Sequence, residues 1–173
     1  KNDHMKTKIE SNEKYHANKR FISSSGIKKI HRKSVYHYLN EKPFTSSAMQ
    51  LGTLIHTAVL EPEKLADEYY VMPSVDRRTK VGKEHYALHL ENSKGKILID
   101  DSMEEVKDKI VENFLANQDA VKYTKGVIEL SHYTELMGVP VKVRPDCFNK
   151  DLGFISDPKT CQDNSPKAFK RDV

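Results

Sequence analysis

VPVKVRPDCFNKDLGFISDPKT, residues 139–160, decides how the chain is read. Two β-rich runs, VPVKVRPDCF and GFISDPKT, flank residues 149–152, and a third, GVIELSHYTEL, precedes them across Met137-Gly138. Both connections suit tight antiparallel turns, so the spacing predicts a three-stranded meander. Side chains at i and i+2 share a strand face, so Asp157 and Lys159 are expected to point together. Asp146 lies near the end of the preceding strand, and pairing through the turn at 149–152 brings it towards Asp157. Two carboxylates and an ammonium on one face are costly unless paired or bound to a cation. A divalent metal held by the carboxylates is one reading, with the lysine beside it acting on a water or an oxyanion. An ordinary solvated Asp–Lys pair at a strand end is the other, since D-x-K is short and common.

Upstream the pattern is helical. Ser23, Ser24 and Ser25 offer caps for a helix in GIKKIHRK, and a second short helix follows over 34–40. EKPF reads as a loop. TSSAMQLGTLIHTAVLEP carries Met49, Leu51, Leu54, Ile55, Ala58 and Val59 at helical spacing, with Pro62 after its end. A short helix from Pro62 leads to a strand at YYVM, 69–72. PSVDRRTKVGK, 73–83, reads as a basic loop, followed by a helix over 84–92 and a strand KILI over 96–99. Asp100 or Asp101 caps a long amphipathic helix with Met103, Val106, Ile110, Phe114 and Leu115 on one stripe. A shorter helix covers 119–123. After the meander, Ser165 starts a helix with Pro166 at its first position. Helices followed by an antiparallel sheet point to an α+β or mixed α/β fold. Residues 1–20 are polar and read as a segment that wraps the surface or frays, ahead of a domain over 21–173.

The chain has 173 residues, 37% hydrophobic and 31% charged, with a net charge of +4 and a pI near 8.9. That permits a polyanionic partner without requiring one. No run of 18 apolar residues marks a membrane helix, and KNDHMKTKIESNEKYH lacks the apolar core of a signal peptide. Cys147 and Cys161 are too few for a disulfide scaffold, a four-cysteine zinc site or an iron–sulfur cluster, and reduced thiols suit a cytoplasmic protein.

RPD (144–146) and DPK (157–159), ten residues apart, resemble the PD-(D/E)xK motif of metal-dependent nucleases. SNEKYHANKRFISSSGIKKI, LGTLIHTAVLEPEKLADEYYVMP, DRRTKVGK, VPVKVRPD and GFISDPKTCQDNSPKAFKRDV run in the order seen in phage and prophage exonucleases similar to the nuclease domain of exonuclease VIII. The likeness covers about residues 11–173, and LGTxxHxxxLEP in register with RPD and DxKT is its most specific part. It implies a restriction-endonuclease-like core and Mg²⁺-dependent (or Mn²⁺-dependent) hydrolysis of linear double-stranded DNA in recombination. Asp146, Asp157, His56 and the Pro158 carbonyl would then hold the metal, and Lys159 would act on the water. By spacing alone, His56 beside an apolar stripe is more often a satisfied core histidine. A homo-oligomer and a single-strand annealing partner are further implications, as is the cytoplasm of a bacterial host. Glu129 reads as a solvated strand residue, or as a carboxylate behind the metal or on a second one. Arg77, Arg78, Lys80 and Lys83 read as a solvated loop or as contacts to the DNA backbone. Arg144, alternating with Lys142, is a further candidate for phosphate, and Lys167 and Lys170 are expected to face solvent or DNA.

Two departures from the family pattern stand out. Pro158 replaces an apolar residue, which removes a donor and predicts an edge strand. The family also continues with a helix bearing a glutamine and a tyrosine, so the C-terminal part of the fold is expected to be missing after Val173. The rival reading is a catalytically inactive DNA-binding or assembly module that keeps the nuclease fold.

Overall fold

The computed structural model describes residues 5–42 and 44–172. The start of the polar N-terminal segment, Pro43 of the EKPF loop and Val173 lie outside the described residues. The chain divides into two compact units: Lys1–Thr45 with Lys122–Asp157, and Ser46–Val121 with Pro158–Val173. Each is a mixed α/β body, as the alternation of patterns predicts.

The first unit is built on two sheets. In one, β1 (Lys6–Lys8) pairs antiparallel with β6 (Ser131–Leu136), β6 pairs antiparallel with β7 (Val139–Val143), and β2 (Ile22–Ser23) runs parallel to β7. Met137-Gly138 closes the β6–β7 hairpin with both residues at positive φ, 51° and 81°. That is the backbone twist a two-residue hairpin favours. The other sheet has the order β5 (Val127–Ile128), β8 (Cys147–Asn149), β9 (Phe154–Ser156), all antiparallel. Three short helices complete the unit: α1 (Asn12–Ala17), α2 (Ser24–Arg32) and α3 (Val35–Asn40). Each starts where a serine hydroxyl, from Ser11, Ser23 and Ser34, accepts an N–H of the first turn.

The second unit starts with α4 (Ser47–Leu60), capped by Ser46, and a 3₁₀ turn at Pro62–Lys64. Then follow α5 (Leu65–Glu68), β3 (Tyr69–Met72), α6 (Lys80–Asn92), β4 (Ile97–Asp100) and α7 (Asp101–Ala116). α8 (Gln118–Tyr123) holds the division between the units, and α9 (Pro166–Asp172) returns to the second. β3 and β4 are parallel, and α4 and α7 pack near them around Leu54, Tyr69 and Ile99, with Leu51, Leu65, Val71 and Met103 alongside. Complete burial of one such aliphatic side chain contributes about 1.5–3 kcal/mol.

Several expectations need correction. The meander is two sheets, because both long runs break. Glu129 turns into the left-handed region at φ 50° between β5 and β6, and Pro145, which has no N–H to give a ladder, parts β7 from β8. Strand β9 stops at Ser156, so Asp157 and Lys159 do not share the face of a continuous strand. Pro158 lacks the N–H that would extend the ladder, and β9 is indeed an edge. Residues 6–8 are exposed yet paired to β6, so the N-terminal segment does not simply fray. Helix α6 begins at Lys80, four residues before the expected start, because Thr79 caps it by accepting the Gly82 N–H at 3.0 Å. The inward stripe of α7 is Met103, Lys107, Ile110 and Phe114, whereas Val106 and Leu115 are exposed. Lys107 belongs on that stripe through its aliphatic stem, with its ammonium at 2.7 Å from Glu104 and 3.0 Å from Asp108.

Candidate active site

Asp146 and Asp157 flank the open end of the β8–β9 hairpin. The ladder ends at the pair Cys147–Ser156, and Asp146 and Asp157 are the residues next to that pair, each just outside its strand. Cys147 is fully buried beside them. Its burial first, and the Asp146 carboxylate second, push its thiol above the ordinary range, so it stays protonated at neutral pH. Gly126 makes the close packing possible: a Cβ there would lie 2.6 Å from the Phe148 carbonyl oxygen and 2.7 Å from the Cys147 sulfur. The Asp146 carbonyl accepts the Glu129 N–H at 3.1 Å, and one carboxylate oxygen of Asp146, Oδ2, is buried.

Behind this hairpin end lies a polar cluster centred on Tyr15. Arg144 has only 8% of its side chain exposed. It approaches Glu129 at 3.5 Å, donates to Asn12 Oδ1 at 2.6 Å and lies 4.5 Å over the Tyr15 ring. Lys142 is buried too and donates to the carbonyls of Tyr15 and, at 2.8 Å, of Asn18, with its ammonium 4.4 Å from the Tyr15 ring. Burial lowers its pKa, as does the neighbouring Lys19 charge. The Tyr133 hydroxyl donates to Glu10, which holds that carboxyl below its usual range. Burial depresses His132 and, with help from Arg144, His16. Arg144 and Lys142 therefore lie inside the unit, not on an exposed strand face, and Glu129 lies in the link between β5 and β6 and not on a strand.

The second unit gathers His56, Pro158 and Lys159 around one cavity of about 420 Å³. Its wall is Ile55 and Val59 of α4 with Ile110 and Phe114 of α7; Thr160, Gln162 and Asn164 add polar groups. His56 projects into it from the turn after Gly52, where an added Cβ would lie 3.3 Å from the Thr160 hydroxyl. The LGTLIH stretch thus supplies a core leucine at 54, a close approach at 52 and a cavity histidine at 56. The segment that carries Lys159 crosses α4 at that glycine. Thr160, Gln162 and Asn164 were not singled out from the sequence; only their nearness to Lys159 marks them.

The basic stretch is ordered by its own contacts. Arg78 pairs with Asp76 at 3.0 Å and lowers the Asp76 pKa. Arg77 lies 4.8 Å over the Tyr86 ring, and Lys80 is 4.0 Å from Glu84. All four cations, Arg77, Arg78, Lys80 and Lys83, are exposed, and the two lysines belong to the first turn of α6. A Cβ on Gly82 would lie 1.9 Å from the Asp76 carbonyl oxygen, so the loop folds tightly onto the helix start.

The expected set is thus divided. Asp146, Asp157, Glu129 and Arg144 belong to the first unit, and His56, Pro158, Lys159 and the basic stretch to the second. Among the described residues no group of three or more His, Cys, Asp or Glu side chains is clustered to hold a metal. The carboxylates of Asp146 and Asp157 are nevertheless oxygen donors of the kind Mg²⁺ and Mn²⁺ take. No described helix is long and apolar enough to cross a membrane.

No curated protein and no solved structure matches the chain. One family model does, over residues 23–173, which takes in α4 with His56, the basic stretch, both sheets' hairpins and the DPK segment. The protein belongs to the PDDEXK-like domain family of unknown function (DUF3799).

Proposed function

We propose that the protein is a metal-dependent deoxyribonuclease, an exonuclease that hydrolyses the phosphodiester bonds of linear duplex DNA in phage recombination. The observation that carries the reading is the β8–β9 ladder, whose last pair, Cys147–Ser156, adjoins Asp146 and Asp157 just ahead of Lys159, in a chain of PDDEXK-like family. Asp146, Asp157, His56 and the Pro158 carbonyl are the proposed ligands. A bound Mg²⁺ or Mn²⁺ would polarise the scissile phosphate and acidify a water there. The Lys159 ammonium orients the attacking water by donating to it, and offsets charge on the phosphoryl oxygens. Proline keeps its carbonyl, so Pro158 retains its acceptor although the ladder ends before it. Arg77, Arg78, Lys80 and Lys83 are the proposed phosphate contacts, being exposed and clustered on one short stretch. Arg144 is too enclosed for that role.

Asp157→Ala is expected to abolish divalent-dependent degradation of linear duplex DNA while the thermal melt stays near that of the parent protein. Degradation that persists in this variant sinks the assignment. The alternative, an inactive DNA-binding module, is favoured by the end of β9 at Ser156, which leaves Lys159 off the strand. Mn²⁺ titration separates the two, because only the catalytic reading requires binding that is lost in Asp146→Ala and Asp157→Ala.

A further inference from the structure

We propose that Arg144 and Glu129 form a latch that fixes the backbone of Asp146 and thereby aims its carboxylate, so that Arg144 is a positioning residue and not a DNA contact. The proposal rests on the reading of Asp146 as a functional carboxylate. Its basis is a closed ring of contacts. Glu129 gives its N–H to the Asp146 carbonyl at 3.1 Å and sets its carboxylate 3.5 Å from Arg144, two residues before Asp146 in the chain. Pro145, itself buried, links the two with a fixed φ. The ring therefore runs Arg144, Pro145, Asp146, Glu129 and back to Arg144.

Glu129 holds φ 50°, a conformation that glycine or asparagine adopts more readily. Such a conformation persists where surrounding contacts over-determine it, and both tethers of Glu129 end within the RPD stretch. Arg144 is anchored in turn by Asn12 Oδ1 at 2.6 Å and by the Tyr15 face at 4.5 Å, both on α1. With 8% of its side chain exposed, the guanidinium is enclosed: Nη2 donates to Asn12, and Nη1 is buried 3.5 Å from the Glu129 carboxylate. The N-terminal helix thus reaches Asp146 through one arginine.

The test compares Arg144→Gln and Glu129→Gln with the parent protein in three measurements. Hydrogen exchange at the Glu129 amide should speed up in both variants, because the bond to Asp146 loosens. Mn²⁺ affinity should fall about tenfold or more in each, as is usual when a group behind a metal ligand is removed, and the double variant should lose little beyond the singles. In DNA cleavage, kcat should drop while DNA affinity and its salt dependence stay unchanged. Lower DNA affinity with a salt slope reduced by about one and kcat intact overturns the proposal in favour of a phosphate contact. A lower melting temperature with Glu129 exchange and Mn²⁺ affinity unchanged overturns it in favour of a plain structural ion pair. If the parent protein cleaves no DNA, the nuclease reading fails, and the exchange measurement still decides the latch. Glu129→Gln keeps size and backbone, so it answers the question even where Arg144→Gln does not fold.

Discussion

The two units hold their candidate site residues in opposite ways. The carboxylate hairpin of the first is backed by a polar cluster in which Lys142, Arg144 and Glu10 are enclosed with Tyr15 and Tyr133. The cavity of the second is walled by Ile55, Val59, Ile110 and Phe114, next to a core of Leu54, Tyr69 and Ile99. Directional contacts fix atoms but cost desolvation, whereas apolar packing gives stability with little angular control. The carboxylates, whose direction matters most, have the polar support. The cavity, which needs a shape, has the apolar one. If so, damage to one kind of support should leave a different signature from damage to the other.

The largest effect is expected at Leu54, which has no exposed surface. Leu54→Ala should cost about 2–5 kcal/mol from lost burial and the cavity left behind. Segment-resolved hydrogen exchange should show α4, β3 and β4 losing protection before the β6–β7 hairpin does. Uniform loss across both units would break the contrast. Next comes Gly126→Ala, where the new methyl group meets the Phe148 carbonyl and the Cys147 sulfur. Overpacking of this kind costs about 1–3 kcal/mol. Divalent-dependent cleavage should fall with it, because the β5–β8 pair must part beside Asp146. Lys142→Met should cost about 2 kcal/mol by leaving two buried carbonyls without their donor. Its chemical melt should shift at constant slope, with protection lost first in α1 and β7.

The contrast extends to acid. Glu10, His16 and His132 all have folded pKa values below their unfolded ones, of 4.5 for the glutamate and 6.5 for the histidines. A depressed pKa means that the unfolded chain binds the proton more readily, so the contribution is complete above the unfolded value and is lost as pH falls. The first unit should therefore weaken below pH 6.5 through the two histidines, and further below pH 4.5 through Glu10. In the second unit the resolved acid-side shifts are at exposed carboxylates, Asp76, Asp100 and Asp163, where solvent screens the effect. Hydrogen exchange at pH 7, 6 and 5 should show β6 and α1 opening before β3 and β4. Simultaneous opening would remove the distinction.

What was legible in the chain follows the range of the contacts. Asp100 announced α7, since a cap and its helix lie within four residues, and the apolar spacing from Leu51 to Val59 announced α4. The pairing of β8 with β9, next to Asp146 and Asp157, was legible because a single tight turn joins the two strands. The burial of Arg144 and Lys142 was not legible: their partners Asn12 and Tyr15 are 132 and 127 positions away, so the alternation on β7 looked like an exposed cationic face. The same distance hid the pairing of residues 6–8 and of Ile22 with the β6–β7 hairpin. Thr79 is a local signal for the start of α6, set among cations that read as a loop. Pro158 marks the edge strand expected of it, while Pro145 parts β7 from β8 within a run that reads as one strand.

Gly52→Ala should change stability least and separates shape from stability within the cavity. Its methyl group would come 3.3 Å from the Thr160 hydroxyl, so one of the two must yield by a few tenths of an ångström. Thr160 is exposed and in no regular element, so it is the side that moves. The helix gains up to about 1 kcal/mol from replacing glycine by alanine, which offsets the crowding. The melting temperature should therefore stay within a few degrees of the parent. Thr160 adjoins Lys159, however, and a displaced Lys159 can no longer orient the water as proposed. Cleavage should drop severalfold with kcat carrying the loss, because a small misplacement of a positioning group costs rate out of proportion to its energy. A variant with parent-like kcat would mean that the 158–162 segment tolerates movement, and that the apolar wall alone does not hold Lys159 in place.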